Sequence, residues 1–186
     1  MPQAAAKSAS PPCDMELVTE VANGDKRALS ALFDRFHLDV YRFLARYAGR
    51  NSADIDDLVQ QTFIEVARSA ANFRRDSQVK TWMFGIATNV ARRWLRQEAR
   101  SERLKSDVAS QHAIAVVAAP AERGSKLRSA IAALPEELRV TFIMCAIEEV
   151  SGADAAAVLG IPIGTVWRRM HDARKALSAA LTGSPP

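Results

Sequence analysis

The sequence predicts an all-α protein of two small helical domains joined by a linker. Three observations predict it. Apolar residues recur at spacings of three and four along almost the whole chain, the period of a helix with one buried face. Only eight glycines interrupt 186 residues, and much of the 48% hydrophobic content is alanine, a strong helix former. Residues 105–122, KSDVASQHAIAVVAAPAE, lose the helical period around Pro120, so the pattern divides there. A chain of this length holds one medium domain or two small ones.

Residues 1–13 contain MPQAAAKSASPP, which lacks the apolar stretch of a secretory signal and is expected to be a disordered leader. The first domain is expected over 14–104. Leu17, Val21, Ala28, Leu32, Phe36, Val40, Phe43 and Leu44 mark two amphipathic helices broken near Asn23-Gly24-Asp25. A turn at Gly49–Ser52 leads to a third helix, Ile55 to Arg68, with Leu58, Val59, Thr62, Phe63 and Val66 inward. A loop over Asn72–Lys80 precedes a fourth helix, Thr81 to about Arg100, whose Trp82, Phe84, Ile86, Val90 and Trp94 supply core bulk.

The second domain is expected over 123–182, followed by a tail at 183–186. Leu127, Ala130, Ile131 and Leu134 mark one segment, and Pro135 opens an apolar one from Leu138 to Ile147. A short helix, Ala153 to Leu159, a turn at Gly160-Ile161 and a last helix from Pro162 to Leu181 have the lengths of a helix-turn-helix. Pro162 suits a first helical position, where its missing amide proton is not needed. On the last helix Val166, Met170, Ala173 and Leu177 fall within about 40 degrees of one another and form the buried stripe. Gly164, Arg168, His171 and Lys175 lie opposite, flanked by Thr165 and Trp167. That face suits a duplex groove, although a solvated face on an ordinary bundle helix has the same pattern.

Charge is unevenly placed. Residues 92–105 carry Arg92, Arg93, Arg96, Arg100, Arg103 and Lys105 against Glu98 and Glu102, an excess of four that equals the net charge of the whole chain. Such a concentration points to a phosphate backbone. The loop before it offers Phe73, Arg74, Arg75, Ser77, Gln78 and Lys80, a set able to hold phosphates and an unstacked base. Asn89, Arg92, Arg93 and Arg96 occupy one broad polar side of the helix and can track a strand. Residues 14–66 hold ten acidic and six basic groups, with Asp54, Asp56 and Asp57 at the start of the third helix. These acids serve either the helix dipole or a docking edge for a basic protein.

Several classes are excluded. No apolar run of about 18 residues is present, so no membrane insertion is expected. Cys13 and Cys145 have neither zinc nor redox spacing, which suits a reduced, cytoplasmic protein. There is no glycine-rich phosphate loop, no histidine pair at ligand spacing and no assembled catalytic set, so no enzyme activity, metal or cofactor is expected.

Four segments carry a family resemblance: DIDDLVQQTFIEVAR (Asp54–Arg68), NFRRDSQVKTWMFGIATNVARRWLR (Asn72–Arg96), LPEELRVTFIM (Leu134–Met144) and LGIPIGTVWRRMHDARKAL (Leu159–Leu177). In this order and spacing the chain resembles bacterial RNA polymerase sigma factors of the extracytoplasmic-function group, the minimal sigma-70 type with regions 2 and 4. The resemblance implies a four-helix region 2 domain and a region 4 helix-turn-helix domain. It implies core RNA polymerase and promoter DNA as partners, and an anti-sigma factor as regulator. By position, Asp54, Asp57, Gln60 and Glu65 would dock on the polymerase. Phe73, Arg74, Arg75, Ser77, Gln78, Lys80, Asn89, Arg92, Arg93 and Arg96 would engage the −10 element. Gly164, Thr165, Trp167, Arg168, Arg169, His171 and Lys175 would enter the major groove at −35. The short helix SGADAAAVLG, with Asp154 its only acid, and Trp167 and Arg169 depart from the family's usual residues, so the −35 sequence transfers less well than the activity. Two alternatives remain at this point: a helix-turn-helix regulator acting without polymerase, and a sigma-like protein that only engages an anti-sigma factor.

Overall fold

The computed structural model describes residues 12–48, 52–108 and 123–182, and all regular structure among them is helical. The first half contains α1 (Asp14–Ala22), α2 (Lys26–Ala48), α3 (Ser52–Ser69) and α4 (Val79–Val108). The second contains α5 (Arg123–Ala133), α6 (Glu136–Phe142), α7 (Gly152–Leu159) and α8 (Ile163–Thr182). The expected leader up to residue 11, the turn at 49–51, the junction at 109–122 and the tail at 183–186 lie outside the described residues.

The breaks fall where the turn residues stand. Gly24 takes φ +89 between α1 and α2, and Asp25 Oδ1 accepts from the amides of Arg27 (2.7 Å) and Ala28 (3.4 Å), satisfying donors that the start of α2 leaves open. On α3 all five residues expected inward are buried, and the Thr62 hydroxyl donates to the Leu58 carbonyl at 2.7 Å instead of being lost in the core.

α4 departs from the expectation in two ways. It starts at Val79 and continues to Val108, so Lys80 stands in its first turn rather than in the loop, and residues 105–108 are helical. Its buried face also matches only in part, at Phe84 and Val90. Met83, Phe84, Ala87, Val90 and Ala91 are buried, whereas Trp82, Ile86 and Trp94 are half-buried. The alanines let α4 approach α2 and α3 closely, and Phe84 stacks on Phe43 at 4.6 Å between ring centroids.

In the second half, Pro135 precedes α6 and its carbonyl accepts from the amides of Leu138 and Arg139. A π-type turn over Ile143–Ile147 ends that segment. Ser151 caps α7, accepting from the Asp154 amide at 3.1 Å while its hydroxyl donates to the Asp154 carboxylate at 2.8 Å. Asp154, the one acid of this short helix, thus serves its cap. Gly160 at φ +66 closes α7, a conformation other residues adopt at a cost. α8 begins at Ile163, one residue later than expected, because Pro162 stands before it as the acceptor for the amides of Thr165 and Val166. Val166, Met170, Ala173 and Leu177 form its buried stripe, as the spacing predicts.

Candidate nucleic-acid interface

The loop over residues 73–78 folds back over α4 and leaves a cleft of about 410 Å³, whose lining on the first domain's side includes Phe73, Arg74, Asp76, Ser77, Trp82 and Asn89. Phe73 and Trp82 meet at 4.7 Å between centroids and form its aromatic wall. Arg75 takes φ +61, rare for a residue with a β-carbon, and its guanidinium donates to Thr19 Oγ1 on α1 at 3.0 Å. Arg74, Arg75 and Gln78 are exposed and Ser77 is half-buried. The arrangement offers an aromatic surface with amide, hydroxyl and guanidinium groups around it, the requirements for holding a planar polar base.

Asn89, Arg93 and Arg96 continue from that cleft along α4 as exposed side chains. Arg93 pairs with Glu65 of α3 at 3.6 Å. Arg92, expected with them, turns the other way. Its Nε donates to the Glu136 carboxylate of α6 at 2.7 Å, and the Tyr47 hydroxyl donates to the same oxygen at 2.8 Å. Burial alone would raise the Glu136 carboxyl, but hydrogen bonds from Arg92 and Tyr47 hold it below its ordinary 4.5. Burial, then the bond to Glu136, raises the Tyr47 hydroxyl so that it stays protonated. Burial works against the Arg92 charge, yet its bond to Glu136 prevails and strengthens the cation.

On α3, Asp57 and Gln60 are exposed and Asp54 is half-buried. Glu65 does not join them. It faces α4, held by Arg93, by Arg68 at 3.3 Å and by Gln61 at 3.4 Å. Beside Gln60 the structure instead exposes Phe33 and Ile64, which border an open groove with Phe63. Sequence reasoning missed this apolar edge. The available signal was that Ile64 falls outside the buried stripe of α3.

On α8, Gly164, Arg168, His171 and Lys175 are exposed, and the space above Gly164 is open. Thr165 is half-buried. Trp167 is 55% exposed, but its ring lies over Gly152 at the start of α7, where a β-carbon would come within 2.6 Å. Arg169 points away from this face. Its side chain is only 14% exposed and pairs with Glu137 at 2.6 Å, beside Arg92, Arg96 and Glu136 in a second cleft. The sequence-derived sets are therefore partly regrouped: Arg92 and Arg169 converge on the acidic start of α6.

Residues 32–101 match the family model for sigma-70 region 2, and residues 125–177 match that for sigma-70 region 4. The chain belongs to the sigma-70 family. It is similar to the ECF RNA polymerase sigma-E factor of Haemophilus influenzae, 33% identical over 175 residues that cover 87% of this chain and 92% of the relative. It is also similar to the RNA polymerase sigma-H factor of Pseudomonas aeruginosa, 31% identical over 90% of this chain and 93% of that one. Among solved structures, CnrH in complex with the cytosolic domain of CnrY is 28% identical with a TM-score of 0.66, covering 92% of this chain and 99% of that chain. The fold is shared with sigma factor RpoE of Bartonella quintana, solved with the anti-sigma factor NepR, at 24% identity and TM-score 0.67 over 84% of this chain and 98% of that one.

The chain is thus a sigma factor of the extracytoplasmic-function group, which binds core RNA polymerase and promoter DNA and is not itself an enzyme. A helix-turn-helix regulator acting alone would leave the region 2 match without a role. Among the described residues no cluster of histidine, cysteine or acidic groups is arranged to hold a metal, and no helix is long and apolar enough to cross a membrane.

Proposed function

We propose that the loop at 73–78 and the exposed side of α4 read the −10 element, that α8 reads the −35 element, and that α3 docks on core polymerase. The cleft between the loop and α4 carries this reading: an aromatic wall, polar groups at its rim and a run of cations continuing from its edge. A duplex reader needs no such cleft. A protein that captures a base from an opened strand does. In this division Phe73, Arg74, Arg75, Ser77 and Gln78 hold the base and its phosphates, while Lys80, Asn89, Arg93 and Arg96 hold the adjoining backbone and Arg92 joins them on release of its bond to Glu136. Gly164, Thr165, Trp167, Arg168, His171 and Lys175 face the −35 duplex, and Arg169 joins them on rearrangement of its pair with Glu137. Asp54, Asp57 and Gln60 supply polar docking contacts, with Phe33 and Ile64 as an apolar edge beside them, and Glu65 joins them on release of its pairs with Arg93 and Arg68.

Opening of the promoter is driven by the bases and phosphates captured once strands separate, so binding energy rather than covalent chemistry does the work. An anti-sigma protein is the proposed regulator, supported by the 28% identity to CnrH, which was solved with a cytosolic domain of CnrY bound. The test is run-off transcription and footprinting with purified core polymerase. Changing Arg92 and Arg93 to alanine is expected to weaken promoter engagement broadly, and changing Arg168 to remove −35 protection while sparing −10. Unchanged promoter opening in the Arg92/Arg93 double variant would refute the −10 assignment.

A further inference from the structure

α1 has no part in the assignments above, yet one of its side chains reaches the loop at 73–78. The helix itself is held firmly: Leu17, Val18 and Val21 are buried, and Asp14 forms an ion pair with Arg35 of α2. On its exposed side, the Thr19 hydroxyl donates to the Met15 carbonyl at 2.9 Å, one turn back. With that proton engaged, the Thr19 oxygen is left as an acceptor, and the Arg75 guanidinium donates to it at 3.0 Å across 56 residues of chain.

Arg75 needs such a partner. Its φ of +61 lies in the left-handed region, where a β-carbon crowds the backbone and only glycine is at ease. The cost of that backbone and the gain from a hydrogen bond to a guanidinium are comparable, so the bond is enough to decide which conformation the loop holds. Arg75 also stands at the point where a change matters. Phe73, two residues before it, forms the aromatic wall with Trp82, and Ser77, two residues after it, lines the same cleft. A change of φ at Arg75 moves the wall relative to the hydroxyl. Both bonded groups are exposed, so the bond contributes little to the stability of the fold, and its effect falls on the shape of the cleft.

We propose that Thr19 is a positioning residue for −10 recognition: by holding Arg75 in its left-handed conformation, α1 fixes the cleft in the shape that selects the captured base. This rests on the assignment of the loop at 73–78 to that base. One N–H of the guanidinium is engaged by Thr19 and the others remain for a phosphate, so Arg75 serves both ends.

Thr19→Val keeps the outline of the side chain and removes the acceptor, whereas Thr19→Ser keeps the hydroxyl. In the free full-length protein, hydrogen exchange at the amides of residues 74–78 should quicken about fivefold in Thr19→Val and stay native in Thr19→Ser. With core polymerase, half-saturating concentrations are then measured on promoter fragments in which each −10 base is replaced in turn by the other three. The spread between best and worst base at the captured position should shrink about fivefold in Thr19→Val and persist in Thr19→Ser. Unchanged exchange in Thr19→Val, a spread within about 1.5-fold of native, or failure of serine to preserve both readouts would overturn the inference. Phe73→Ala separates the two levels. If it leaves base preference intact, the −10 assignment of the loop fails; if it flattens that preference while Thr19→Val does not, the brace alone fails.

Discussion

Replacing Arg93 and Arg96 by alanine removes two exposed cations from the side of α4 that continues from the base cleft. Neither is a core residue, so the fold should survive, and Glu65, which loses Arg93, retains Arg68. Each duplex phosphate neutralised contributes about 0.9 to the slope of log affinity against log salt. Losing two contacts should flatten that slope by about 1.8, and between about 50 and 200 mM salt the native holoenzyme should lose about twelvefold more affinity than the variant. The assay is anisotropy of a labelled promoter fragment titrated with holoenzyme across a potassium chloride series. Arg68→Ala, an exposed cation on α3, is the control and should leave the slope unchanged. A double variant whose slope stays within about 0.5 of the native value would refute phosphate contact by this face.

Two further outcomes follow from the packing and the titrating groups. Phe84 is fully buried and stacked on Phe43, so Phe84→Ala should cost about 3–5 kcal/mol. At about 4 °C or more per kcal/mol for a domain of this size, circular dichroism melting should fall by about 12 °C or more, and a loss under about 5 °C would contradict the assigned core. Glu136 has its carboxyl lowered by Arg92 and Tyr47, so its contribution is present above its ordinary 4.5 and is lost as pH falls through the lower folded value. The melting difference between native protein and Glu136→Ala should hold steady from about pH 5 to 7 and shrink below about 4.5; a difference that grows on acidification would reverse the assignment.

The sequence by itself determined which face of most helices is buried. Leu58, Val59, Thr62, Phe63 and Val66 on α3, and Val166, Met170, Ala173 and Leu177 on α8, follow from a 3.6-residue period that depends only on spacing. Gly24, Gly160 and Pro135 stand at helix ends because local backbone chemistry decides those positions. The loop and basic helix at 73–105 were visible as a charge concentration, and the order of four motifs pointed to the family.

Only the tertiary structure decided what those faces meet. On α4, Met83, Ala87 and Ala91 rather than the tryptophans fill the centre, because a close helix approach selects small side chains and no local period reveals how near the neighbour comes. Arg92 and Arg169 look like members of two DNA-reading sets, yet both turn to adjacent acids at the start of α6. Arg92 and Glu136 are 44 residues apart in the chain, and Gly85 meets Val158 across the same junction. Such pairings depend on how two domains pack, a long-range property that helical periodicity does not encode.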